Sequence, residues 1–361
     1  MKRLPRCLAA LLLGGTTLNA TSFDEAGHFY TAYALVRTAQ PDKTPPARML
    51  MALCAQLPDM ASDLDATAVY GRLVTHSPWA WARWGLSDKT DSPDVRKMIT
   101  IQQLLHALTG GDALEIQEVA RTLNASLRKA AASAQGDSDV GIAACALGFG
   151  LHFYGDATAH QRMSDADKRT GRHMYGTGVG HAADLHYPDY PLCDKPADGL
   201  QVTRHCRFTS KDDFRFGAWK AIWEHAAQVY DPDDFKPEHP EARAKLIASV
   251  GALGDSANDR NHWNEDAMRV ALSNGDKQVE GYRKFIEGEH SNRSCEQVLA
   301  DALRSIPDMH GFTGLSCATI WTRYQTAARE AFANARVKAK AGADIGTPYD
   351  DKLYDPMPLD Q

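Results

Sequence analysis

One stretch constrains this chain more than any other. From Val140 to His160 the sequence is almost wholly apolar, yet its end carries His152, Asp156 and His160 at four-residue spacing. An apolar run of that length, dotted with Ala, Gly and Cys, reads as a helix buried inside a core. On a helix, four-residue steps place the three polar groups along one stripe. Burying imidazole and carboxylate is costly unless partners satisfy them, and a metal ion is such a partner. Each step rises about 6 Å, so the three groups suit two neighbouring ions better than one, with Asp156 as a bridge between them. The competing reading is a hydrogen-bonded His–Asp core pair with His160 at the surface.

The rest of the chain is patterned for helices as well. Ser22-Phe23-Asp24-Glu25 matches a capping box and opens a helix through Ala34, Leu35 and Val36. Further helices are expected over 114–132, 214–230, 241–253, 264–272, 295–306 and 318–341. No series of alternating strand patterns appears, apart from a short stretch at 201–208 that suits a small β-hairpin. The expected fold class is therefore all-α, a multi-helix bundle. Loops are expected at 40–46, 87–95, 164–197 and 231–240. The third is long and rich in His, Gly, Asp and Pro, and long loops in compact domains tend to carry function.

Lys2, Arg3 and Arg6 precede a short apolar run, Leu8 to Leu13, and Leu18-Asn19-Ala20 suits a cleavage site. Residues 1–20 thus read as a signal peptide, giving a periplasmic or secreted protein that starts near Thr21, with no transmembrane segment in the mature chain. The alternative is an uncleaved anchor or a buried N-terminal helix. The helical metal-binding domain spans 21–342, with the site in 21–191 and additional helices in 210–342. A Pro- and Asp-rich extended tail covers 343–361. Cys7 falls in the signal, which leaves six cysteines. In an exported chain these suggest up to three disulfides. Cys193–Cys206 and Cys295–Cys317 are the easiest local pairs and leave Cys54–Cys145, one of many connectivities open to six cysteines.

The net charge of −6 speaks against a broadly basic nucleic-acid surface. No Cys-x-x-Cys pair, glycine-rich dinucleotide fingerprint, phosphate-loop Lys motif or Gly-x-Ser-x-Gly elbow occurs. Trp79, Trp81 and Trp84 with Arg83 read as a loop packed on the core, or as the lining of a substrate groove or a lipid contact.

The run Leu151-His-Phe-Tyr-Gly-Asp-Ala-Thr-Ala-His160 resembles the signature helix of the zinc-dependent phospholipase C / S1–P1 nuclease superfamily. The likeness extends in order from about Asp24 to Pro191. It implies that His28 is similar to the early family His ligand, and Asp59 to an early Asp that binds metal or acts as base on attacking water. It further implies ligand roles for His106, His152, Asp156 and His160. His181, in Gly180-His181, would join His160 on a second ion. The rivals are Asp63 for Asp59 and His76 for His106, while Asp184, His186 and Asp189 compete to complete the His181 shell. Read without the resemblance, His28 packs on Tyr30 or Tyr33, Asp59 caps a helix after Pro58, and His106 is a core or cap histidine. Two family features are missing: no Trp lies near Thr21, and Leu185 stands where a Glu follows the family's Gly-His. Asp24, one turn before His28, is a substitute ligand or simply a first-turn acid. The resemblance implies one to three Zn2+ ions and hydrolysis of a phosphodiester or phospholipid by metal-activated water. An S1–P1-like nuclease is the second choice, and a non-catalytic metal-stabilised exported binding protein the third.

Overall fold

A computed structural model describes residues 46–87, 92–162, 173–178, 180, 279–286, 288, 290, 292–312, 314–339 and 359, together with 28, 29, 32 and 33. Among these, the chain is helical. The elements are α1 (Pro46–Met60), α2 (Ala66–His76), α3 (Pro78–Ser87), α4 (Pro93–Leu104), α5 (Ala113–Ala132), α6 (Asp137–Ala159), α7 (Val279–Ile286), α8 (Cys295–Ser305) and α9 (Cys317–Ala339). His28, Phe29, Ala32 and Tyr33 are helical too. Two short strands, β1 (Gln161–Arg162) and β2 (His173–Met174), pair antiparallel with Gln161 opposite Met174. The expected signal peptide, the hairpin at 201–208, the helices between 214 and 272, and Cys193, Cys206 and His181 lie outside the described residues. So does the tail apart from Leu359, which is buried and whose carbonyl accepts from the Lys97 ammonium.

Helices α5, α6, α8 and α9 follow the sequence expectation to within a few residues. Helices α1 to α4 did not emerge from the patterning, and for α1, α3 and α4 the reason is proline. Pro46, Pro78 and Pro93 each occupy the first position of a helix. A proline there gives up an N–H that the first turn leaves unused, and its fixed φ suits the helix. Residues read as loop markers are thus helix openers. The tryptophan cluster is corrected in the same way: Trp79, Trp81 and Trp84 sit on α3, with Trp84 buried and Trp79 87% exposed. Side-chain caps mark other starts: Asp65 accepts from Ala68 N, Asp112 from Leu114 N and Glu115 N, and Ser294 with Gln297 forms a capping box.

Helix α6 is the centre of the bundle and packs on α1, α5 and α9. By length and composition it is apolar enough to cross a membrane, but 89% of that window is buried within the fold. Gly148 permits the contact with α1: a Cβ there would lie 2.5 Å from the Met51 carbonyl oxygen and 2.8 Å from the Cys54 Cβ. On the other side, Asn124 of α5 donates from Nδ2 to the Gly150 carbonyl at 2.8 Å. Toward α9, Phe149 meets Tyr324 and Phe153 meets Phe332, both edge to face. Truncating a buried Phe of this kind costs about 3–5 kcal/mol. Two disulfides tie the bundle: Cys54–Cys145 joins α1 to α6, and Cys295–Cys317 joins the starts of α8 and α9. These are pairings the sequence left open, and they suit an oxidising, extracellular compartment.

Candidate metal centre

Four parts of the chain deliver the site. The last turn of α1 carries Asp59, one residue after Pro58. Helix α6 carries His152 and Asp156. The segment with His28 is fixed to α1 by Gln56, whose Oε1 accepts from Phe29 N at 3.1 Å while its Nε2 donates to Asp59 Oδ2 at 3.3 Å. His106 lies in the bend between α4 and α5. That bend contains Ala107 at φ 53°, a left-handed conformation that non-glycine residues rarely adopt. Surrounding bonds hold it there. Leu108 N donates to Gln102 O at 2.9 Å, and Gln102 Nε2 donates to Ala66 O and Gly178 O, each at 3.0 Å. The Tyr324 hydroxyl of α9 donates to Leu104 O.

Backbone carbonyls fix the tautomer of three of the imidazoles. His152 Nδ1 lies 2.9 Å from Ala55 O, His106 Nε2 lies 2.8 Å from Leu64 O, and His160 Nδ1 lies 2.8 Å from His106 O. A carbonyl oxygen only accepts, so in the neutral rings those nitrogens carry the proton and the other nitrogen presents a lone pair. His152 Nε2 and His106 Nδ1 therefore meet as acceptors at 3.1 Å. Asp156 Oδ2 lies 3.2 Å from the first and 3.1 Å from the second. Three mutually adjacent acceptors repel unless a proton or a cation sits among them.

Two carboxylates extend the set. Asp156 turns Oδ1 to His28 Nε2 at 3.2 Å while Oδ2 serves His106 and His152. Asp59 does the same at longer range: Oδ2 lies 3.7 Å from His28 Nε2, and Oδ1 lies 3.7 Å from His152 Nε2 and 3.8 Å from His106 Nδ1. Each carboxylate thus spans the gap between His28 and the His106–His152 pair. Neighbouring ligands of a four-coordinate ion with bonds of about 2.1 Å sit about 3.4 Å apart. The donor spacings of 3.1 to 3.8 Å bracket that value, so the donor set fits a divalent cation.

Electrostatics favour the ligating forms. Burial, reinforced by the like charge of His28, pulls His152 down to about 3, against the upward pull of Asp156. Burial is also the chief cause holding His28 below its ordinary value. Burial would push Asp156 up, but the potential of His160 and His152 and contact with His106 outweigh it and keep the carboxyl well below its usual range. Near neutral pH the centre presents the neutral His28 and His152 rings and the Asp156 carboxylate, the states a cation needs.

Of the residues singled out in sequence, the structure brings together His28, Asp59, His106, His152 and Asp156. His160 is buried beside them, but the nitrogen that lies 3.7 Å from Asp156 Oδ2 is Nδ1, which bonds the backbone carbonyl of His106 at 2.8 Å. His181 follows Gly180, which is described, and itself lies outside the described residues. The rivals His76 and Asp63 go elsewhere, while Asp24, Asp184, His186 and Asp189 lie outside the described residues. His76 is the exposed last residue of α2, and Asp63 Oδ1 accepts from Cys295 N at the start of α8. Sequence reading overlooked Gln56, Gln102 and Tyr324. Gln56 had one available signal, a lone amide within the apolar run Leu53 to Leu57. The chain was compared with family models, curated proteins and solved structures, and none matches.

Proposed function

We propose that this protein is an exported, zinc-dependent phosphoester hydrolase of phospholipase C-like type. One observation carries the reading: inward-facing imidazole lone pairs converge on two carboxylates, each of which spans two sides of the same small space. Mixed nitrogen and oxygen donors without thiolate suit a Lewis-acid ion, and zinc heads the list by ligand type. His28, Asp59, His106, His152 and Asp156 would hold it. Bound zinc supplies polarisation of a phosphoryl oxygen and an acidified water.

The chain's own groups have distinct work. Asp156, fully buried among imidazoles, fixes the donor geometry. Asp59 and His28 have side chains 2% and 3% exposed, against 0% for His106, His152 and Asp156. Asp59 is the group placed to take a proton from attacking water, while Gln56 orients its Oδ2. The disulfides support an exported protein.

The test is direct. Protein purified without chelator should contain stoichiometric zinc and hydrolyse bis(p-nitrophenyl) phosphate. Phosphatidylcholine should be cleaved in preference to single-stranded DNA, the reverse order favouring the nuclease reading. Asp59→Asn should abolish hydrolysis while retaining most of the metal. The full burial of His106, His152 and Asp156 favours one further reading, a non-catalytic protein stabilised by a structural ion. Stable zinc content with no phosphodiester turnover would select it.

A further inference from the structure

Gly155 sits on α6 immediately before Asp156, where local preference argues against it. Glycine inside a helix destabilises it by about 0.5–1 kcal/mol relative to alanine. Nor does the backbone demand it, since Gly155 is not among the described glycines with positive φ. Among the described residues, a Cβ at this position would meet one group of atoms only, the His28 ring, at 2.8 Å from Cε1 and 3.0 Å from Nδ1. The ring also lies against His152, with centroids 3.9 Å apart and planes inclined by 33°. His28 therefore lies between the α6 backbone and the His152 imidazole, with Nε2 directed at Asp156 Oδ1 and Asp59 Oδ2. Gly148 and Gly150 differ: a Cβ there would strike the neighbouring helices α1 and α5.

We infer that Gly155 is a positioning residue of the centre: its missing side chain is the space that admits His28 to the two carboxylates. The inference rests on the metal-centre reading for its consequence, a divalent cation held in part by His28. Adding a methyl group at 155 presses on the free end of one rotatable side chain, so the ring swings aside and the helix stays. Its effect then runs wholly through His28.

Four proteins test this: wild type, Gly155→Ala, His28→Ala and the double variant. Zinc affinity is measured by titration against a chromophoric chelator. Imidazole resonances are read from metal-free protein labelled with 15N-histidine. Gly155→Ala should weaken the loosest zinc by about 10- to 100-fold. The double variant should match His28→Ala alone, because the methyl group then fills space the ring has left. In the metal-free protein Gly155→Ala should shift the His28 resonances and leave those of His106 in place. Multiplying affinity losses in the double variant, or unmoved His28 resonances, would overturn the inference. If wild type takes up no zinc, the metal reading fails and the metal-free spectra alone decide the positioning role. Should Gly155→Ala fold poorly, a double variant that melts with His28→Ala supports the clash with His28, and a double variant that melts below His28→Ala overturns it.

Discussion

Helices α6 and α9 are each 23 residues long and both pack on α5, yet they spend their length differently. Helix α9 is amphipathic. It buries Ile320, Trp321, Tyr324, Ala328, Ala331 and Phe332 along one side and leaves Thr322, Thr326 and Glu330 in solvent. Helix α6 is enclosed on nearly every side from Gly141 onward. A one-sided helix can hand its polar groups to water. An enclosed helix cannot, so each of its polar groups must be met by another element. On α6 those groups are His152 and Asp156, and α1, the α4–α5 bend and the His28 segment all converge on them. On α9 the corresponding buried hydroxyl, Tyr324, makes a single bond that braces the bend beside His106.

The contrast breaks most readily at Asp156. Asp156→Ala should abolish stoichiometric metal binding, read by inductively coupled plasma mass spectrometry after dialysis. Tyr324→Phe on α9 should leave the metal count unchanged, and equal loss in both would erase the distinction. Acid comes next. With His152 held to about 3 in the fold and an unfolded value of 6.5, the unfolded chain binds a proton that the native chain refuses across that interval. Stability of metal-stripped protein should therefore fall as pH drops from 6.5 toward 3, measured by urea unfolding. His152→Gln should flatten that slope. Helix α9 contains no histidine and should add nothing to it.

The disulfides sharpen the comparison by a smaller margin. Cys54–Cys145 closes 91 residues and Cys295–Cys317 closes 22. Replacing either pair with alanine should cost about 2–5 kcal/mol, with the α6 pair about 1 kcal/mol the larger in the loop-entropy account. Denaturant melts of the two double-alanine variants measure the difference, and a larger loss for the α9 pair would contradict it. Tyr324→Phe should cost about 1–2 kcal/mol, as the Leu104 carbonyl loses its buried donor. The smallest change is expected from Arg323→Ala. Its exposed pairing with Asp139 on α6 lowers that carboxyl, but such pairs hardly move a melting temperature.

These regions also differ in how far the sequence revealed them. The stripe on α6 was readable because helix geometry turns a spacing of four into a shared face. Its partners His28, Asp59 and His106 came only from their order along the chain, since distant elements meet through tertiary packing that spacing does not encode. Asp63 shows the limit: it stood as the rival of Asp59 and instead accepts from the Cys295 N–H at the start of α8. The Ala55, Leu64 and His106 carbonyls that set the histidine tautomers were invisible, because every residue has a carbonyl and none advertises its acceptor role. Helices α1, α3 and α4 were hidden by prolines that served as openings rather than breaks.

Those three carbonyls have a consequence for how the centre comes into being. Each belongs to a different stretch of chain from the ring it orients, separated from it in sequence by 97, 42 and 54 residues. A partly assembled chain has the rings but not the carbonyls that aim them, so they wander between tautomers and directions. A cation-binding arrangement of these rings therefore exists only once the bundle has closed.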